Sequence, residues 1–170
     1  LAGGAAGAAV IRVTTLMIDA PPSPCELDEA IIVANENREL FGCQRSGGGP
    51  DVIRFDVQGT IELDGAELPA ITEALTIEGP GADRLTIDAE GLSRGLTVNA
   101  GVPLTLSGVT IKGGAAPAGE VGGGLRILAG ASVTLRDCAF EGNDAAGGGA
   151  VAVTQGTLRV ERCTFVGNAA

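Results

Sequence analysis

One phrase in this chain is written twice. Val133-Thr134-Leu135-Arg136-Asp137-Cys138-Ala139-Phe140-Glu141-Gly142-Asn143 returns as Leu158-Arg159-Val160-Glu161-Arg162-Cys163-Thr164-Phe165-Val166-Gly167-Asn168, at an offset of 25 residues and without a gap. Gly122-Gly123-Gly124 returns at Gly147-Gly148-Gly149 with the same offset. A fixed period of this size predicts a repeat architecture in which each copy packs on its neighbour. Leu75, Leu104, Val133 and Leu158 extend the beat, with steps of 29, 29 and 25 residues.

Inside that beat the residues alternate. Ile53 and Phe55, Ile61 and Leu63, Leu75 and Ile77, Leu85 and Ile87, Leu96 and Val98 are apolar pairs at period two. Leu104 and Leu106, Val109 and Ile111, Leu125 and Ile127, Val133 and Leu135 continue the series. Period two marks short strands with one inward face. Turn residues such as Glu78-Gly79-Pro80-Gly81 and Lys112-Gly113-Gly114 separate them. No helical periodicity follows residue 50. Strands of an ordinary parallel sheet, buried on both faces, read as continuous apolar runs. An antiparallel sandwich would alternate but would not repeat a 25-residue copy. The expectation is an all-β parallel β-helix, with about three strands per coil of 25 to 29 residues. The composition agrees: only four Phe are aromatic and 28 residues are Gly, which suits a narrow core of aliphatic layers and tight turns.

Stacking at ~4.8 Å between coils names neighbours. Phe140 lies under Phe165, and Asn143 under Asn168, as an inward stack and an amide ladder. Outside, Arg136 meets Glu161 and Asp137 meets Arg162. Such exposed pairs are worth only ~0–1 kcal/mol, so they report register more than stability. Cys138 and Cys163 share a column placed inward. Their Cα atoms, one strand spacing apart, suit a disulfide, while Cβ atoms ~4.8 Å apart lie just beyond its usual range. Stacked thiols are favoured over a bridge.

Upstream of the coils the chain reads differently. Leu1-Ala2-Gly3-Gly4-Ala5-Ala6-Gly7-Ala8-Ala9 looks like the end of a secretory signal peptide with an A-x-A-like site at Ala6-Gly7-Ala8, or else a flexible leader. Residues 1–9 are therefore set apart, 10–50 form an N-terminal cap, and 51–170 form the coils. Val10 to Thr15 reads as a first strand, and Pro21-Pro22-Ser23-Pro24 breaks regular structure. Leu27, Ala30, Ile31 and Ala34 then follow helical spacing, which predicts one short helix over 26–36. Acidic Glu26, Asp28 and Glu29 suit its first turn. Ser46-Gly47-Gly48-Gly49-Pro50 is a loop. Cys25 and Cys43 bracket this segment. A disulfide there, favoured over two unrelated thiols, would be worth ~3 kcal/mol and would fit an exported protein.

Cys25-Glu26-Leu27-Asp28-Glu29-Ala30-Ile31, followed by Ala34-Asn35, resembles the Cys-Ser-Leu-Arg-Glu-Ala-Ile…Ala-Asn cap of CSLREA-type secreted proteins. Cys43 is similar to the second cysteine of many of them. The chain departs from that cap at Glu26, where the family has Ser, and at Asp28, where it has Arg, so a salt bridge of that Arg is not carried over. Phe140-Glu141-Gly142-Asn143, Gly148-Gly149-Ala150 and Phe165-Val166-Gly167-Asn168 resemble the FxxN and GGA repeats of polymorphic outer-membrane proteins. The resemblance, over 10–170, implies a right-handed parallel β-helix with a helix over one end, in secreted or cell-surface bacterial proteins. A β-helix ends in an open apolar cross-section with unpaired backbone groups. The helix held by Cys25 and Cys43 can cover one end. Nothing equivalent precedes Ala170, so further coils in the natural protein, or else a second molecule, are expected there.

The chemistry is read mostly by exclusion. The chain has no histidine, which removes His-based triads, proton shuttles and metal sites. The cysteine spacings match no zinc pattern, and the glycine-rich segments lack the Lys-Ser/Thr of a phosphate loop. A net charge of -10 disfavours nucleic acid and anionic membrane, and no apolar run is long enough to span a bilayer. Asp137, Glu141, Asp144 and Glu161 are the only dense carboxylates, and two of them have Arg partners in the stack. A calcium ion near Asn143-Asp144 is the one metal that could be entertained, and nothing in the sequence supports it; no cofactor is expected. The expectation is an exported, non-catalytic module that presents a rigid acidic flank to a protein or glycan, as a surface, adhesion or structural element. The alternatives are a fragment of a polysaccharide lyase or glycoside hydrolase, and a filament subunit stacking through the C-terminal edge.

Overall fold

The computed structural model describes residues 7–18, 24–40 and 42–170. The Pro21–Ser23 break and most of the small-residue leader lie outside the described residues. In chain order the elements are β1 (Ala9–Val13), α1 (Leu27–Glu36), β2 (Arg45–Ser46), β3 (Asp51–Phe55), β4 (Gly59–Glu62), β5 (Leu75–Glu78), β6 (Leu85–Asp88) and β7 (Leu96–Val98). They continue with β8 (Pro103–Ser107), β9 (Thr110–Lys112), β10 (Leu125–Ile127), β11 (Ser132–Arg136), β12 (Ala139–Glu141), β13 (Val151–Val153), β14 (Thr157–Glu161) and β15 (Thr164–Val166).

The strands assemble into three sheets. The first runs β14-β11-β8-β5-β3-β1-β2, the second β15-β12-β9-β6-β4, and the third β13-β10-β7. Every pairing is parallel except that of β1 with β2. Each full turn thus gives one strand to each sheet, and the chain is an all-β parallel β-helix of about four turns. Like residues stack. Leu75 pairs with Leu104, Leu104 with Val133 and Val133 with Leu158. Ile61, Ile87, Ile111, Phe140 and Phe165 form the matching column of the second sheet.

The third sheet differs from the sequence reading by one residue. Leu125 pairs with Val151, a step of 26, although the glycine triplets repeat at 25. The connection 154–156 is one residue shorter than 128–131, so Ser132 is again opposite Thr157. The slip is absorbed in a turn, where it moves no core side chain.

Inward residues of all three sheets fill one continuous core that includes Ile53, Ile77, Leu106, Leu135, Ile87, Ile111, Leu96 and Leu125. Each such side chain gains ~1.5–3 kcal/mol from burial, against the entropy of ordering its strand. Outward positions carry Thr, Arg and Glu, which is why the strands alternate.

The N-terminal cross-section is closed by five devices. Helix α1 lays Leu27, Ala30, Ile31 and Ala34 over the lumen, with Val33 buried beside them. It starts one residue later than the spacing predicts, because Glu26 is extended and serves as the N-cap of a capping box with Glu29. A disulfide joins Cys25 to Cys43, whose Cα atoms are 4.5 Å apart. Ser46, expected to open a loop, instead joins Arg45 in a short strand that pairs antiparallel with β1 and covers its outer edge. Leu16 lies against the start of β4, where it would meet a side chain on Gly59. Finally Asn35 donates to Ala70 O (2.8 Å) and accepts from Thr72 N (2.9 Å). Those two groups flank Ile71, which bridges to Val98 and so begins the third sheet. One amide side chain thereby stands in for a missing strand.

Candidate interaction surface

The duplicated phrase resolves into stacked columns. Phe140 and Phe165 stack in the lumen with ring centroids 5.2 Å apart and planes 10° apart. Phe140 is fully buried, whereas Phe165, on the last turn, is 45% exposed. Gly142 and Gly167 follow at φ 58 and 63, the left-handed corner between the second sheet and the loops. Asn143 comes next. Its Nδ2 donates to Ile111 O (3.1 Å) and Asn168 Oδ1 (2.8 Å), and its Oδ1 accepts from Gly114 N (2.8 Å). Asn168 repeats the bond to Phe140 O at 2.9 Å. The FxxN pattern is therefore a lumen filler, a corner and an amide that ties one coil to the next. With its amide spent this way and fully buried, Asn143 is not presented to an ion.

Cys138 and Cys163 stack as free thiols, the first buried and the second partly so. Burial pushes Cys138 up to about 11. On the outside, Arg136 bonds Glu161 (2.9 Å), which also meets Arg159, and Arg162 grips Asp137 with two bonds of 2.6 and 2.8 Å. The bond from Arg162 holds the Asp137 carboxyl below its ordinary range. Desolvation pushes Glu161 up, but Arg136 and Arg159 outweigh it and bring it down.

The connections from the second to the third sheet stack into a flank of their own. Segments 63–70, 89–95, 113–124 and 142–150 are laced by main-chain bonds such as Leu63 N to Asp88 O, Gly91 N to Gly113 O and Ala116 N to Asp144 O. A Cβ on Gly123 would collide with the Asp144 carbonyl, so the glycine triplet is what lets successive loops close on the wall. Arg94, only 4% exposed, runs through the stack. Its guanidinium reaches Glu67 (3.4 Å), Glu120 (2.7 Å) and Gly122 O (2.9 Å), joining loops of three turns. The bond from Arg94 holds Glu120 below the usual carboxylate range. Asp64, Glu90 and Asp144 stand exposed on the same flank, and Leu92 projects from it.

A shallow groove crosses the first sheet, lined by Asp51, Thr76, Thr105, Ser132 and Thr134. The three threonines pair in register and face outward. The residues that sequence reasoning missed are Arg94, Asn35 and this hydroxyl row. The row carried a signal in the Thr shared by Leu-Thr-Ile, Leu-Thr-Leu and Val-Thr-Leu, and Asn35 one in the Ala34-Asn35 of the cap resemblance, though not its bonds; Arg94 carried none.

Among the described residues no three His, Cys, Asp or Glu side chains converge as a metal cluster. No described helix is long and apolar enough to cross a membrane. No family model, curated protein or solved structure matches the chain.

Proposed function

We propose that this chain is an exported, non-catalytic β-helix module of the bacterial surface or secreted type, and that its acidic loop flank engages a partner. The finer likeness to CSLREA caps and polymorphic outer-membrane repeats belongs to this reading. One observation carries it: Arg94 fixes loops of three turns together and leaves Asp64 and Glu90 displayed on a rigid support, and main-chain bonds between Asp144 and the 113–124 loop set Asp144 beside them. Rigid loops carry recognition with little ordering cost on binding. The carboxylates that share ion pairs point away from acid catalysis. A general acid needs a raised pKa, and Glu120, Asp137 and Glu161 are all lowered.

The test uses the intact chain against immobilised basic proteins and cationic glycans at rising salt. Binding that weakens with salt, and is lost in the Asp64→Lys, Glu90→Lys, Asp144→Lys triple variant, supports the reading. Depolymerisation of an acidic polysaccharide, with or without calcium, would replace it with the lyase alternative.

A further inference from the structure

The two thiols of the duplicated phrase are used by nothing described so far. Cys138 Sγ donates to Arg136 O (3.2 Å) and Cys163 Sγ to Glu161 O (3.4 Å). Each thus reaches the carbonyl two residues back, which gives the two side chains a common orientation, and Cys138 Sγ also lies 3.5 Å from Leu106 O on the preceding turn. The strands around them are locked in register, Arg136 opposite Glu161 and Ala139 opposite Thr164. Main-chain bonds from Asp137 N to Glu161 O and from Thr164 N to Cys138 O, both 3.0 Å, hold the pair of backbones together.

Equal orientation on paired strands sets the sulfurs about one strand spacing apart, ~4.8 Å. That is far beyond a sulfur–sulfur bond of ~2.05 Å, and the Cβ atoms are also wider apart than a disulfide prefers. Two metal–sulfur bonds of ~2.3 Å laid end to end cover ~4.6 Å. Among the described residues no third Cys, His or carboxylate joins the pair, so ions that require four or more ligands find no set of donors there. Soft sulfur donors at low coordination number select soft d¹⁰ ions.

We propose that Cys138 and Cys163 form a two-coordinate bis-thiolate site, along the stacking axis, for a soft monovalent ion of the copper(I) or silver(I) class. Binding forms two metal–sulfur bonds, breaks two S–H bonds and releases two protons to water, with no change of oxidation state. The ion approaches through Cys163, the more accessible thiol. The buried Cys25–Cys43 disulfide takes no part.

Silver(I), in chloride-free buffer, is the probe for the intact chain with its disulfide in place. The expected result is one ion per chain by native mass spectrometry, with saturation of the ultraviolet thiolate band at one equivalent. Cys138→Ser and Cys163→Ser should each weaken uptake by ~100-fold or more, since each removes one arm of a chelate. Two ions per wild-type chain, or undiminished uptake in either variant, would overturn the site. So would quantitative closure of a Cys138–Cys163 disulfide under mild oxidation, because the sulfurs would then lie closer than the register sets them. Should a serine variant not fold, alkylation of wild-type Cys163 decides: protection by one equivalent of silver supports the site, and unchanged alkylation rejects it.

Discussion

The first and last described turns differ in what covers them. Among the described residues of the N-terminal end, α1 covers the lumen, β2 the first sheet, Leu16 the second and Asn35 the third. On the last turn β13, β14 and β15 pair on one side only, and Val153, Val160, Phe165 and Val166 are exposed. The same repeated phrase therefore has different worth in its two copies. A residue's contribution is set by the coil above it as much as by its own identity. The closed end also bears on assembly, because head-to-tail stacking into a filament would have to displace α1.

Phe140→Ala should cost ~3–5 kcal/mol and Phe165→Ala ~1–2, read as denaturation midpoints; equal costs would mean that the last turn is as well buried as the one before it. Reducing the Cys25–Cys43 disulfide should cost ~3 kcal/mol and raise hydrogen exchange in 27–46 first. Uniform loosening of all turns would show that the cap is not a separate device.

The two thiols sharpen the contrast through pH. Cys138 has its pKa raised in the folded state, so its stabilisation is complete below the unfolded value of 9.0 and is lost as pH climbs toward about 11. The loss should reach ~2–3 kcal/mol and vanish in Cys138→Ala, whereas Cys163→Ala should keep it. Asn35→Ala should cost ~1–2 kcal/mol and release the amide of Thr72 to exchange; protection at Thr72 that does not change would deny the side chain its strand-like role.

The smallest effect belongs to the outer pairs. Arg162→Ala should leave the denaturation midpoint almost unchanged, since both partners are exposed. Asp137, Glu161 and Glu120 have lowered pKa values, so what they contribute is present above their ordinary values of 3.8 and 4.5 and is lost as pH falls below them. A midpoint already shifting at pH 6 would contradict that.

Legibility in the sequence followed one rule. Columns built from like residues could be read directly, as with Leu75-Leu104-Val133-Leu158, because stacking puts each residue on its own kind. Contacts between unlike, distant residues left no periodic trace. Asn35 meets Ala70 and Thr72, and Arg94 meets Glu67 and Glu120, by virtue of the winding alone. Strand β2 is too short to show alternation. The slip in the third sheet was hidden because glycine triplets look alike in either register. The flank likewise exists only once four separate connections are stacked.

Surplus length leaves this coil at one corner. Segment 113–124 is longer than 142–150, yet Ile111 still faces Phe140 and Leu125 still faces Val151 on either side of it. The pitch of the wall is thus indifferent to the contents of that bulge. A guest peptide spliced at Ala118 would ride outside the cylinder, and doubling the bulge would add only ~0.6 kcal/mol of closure entropy.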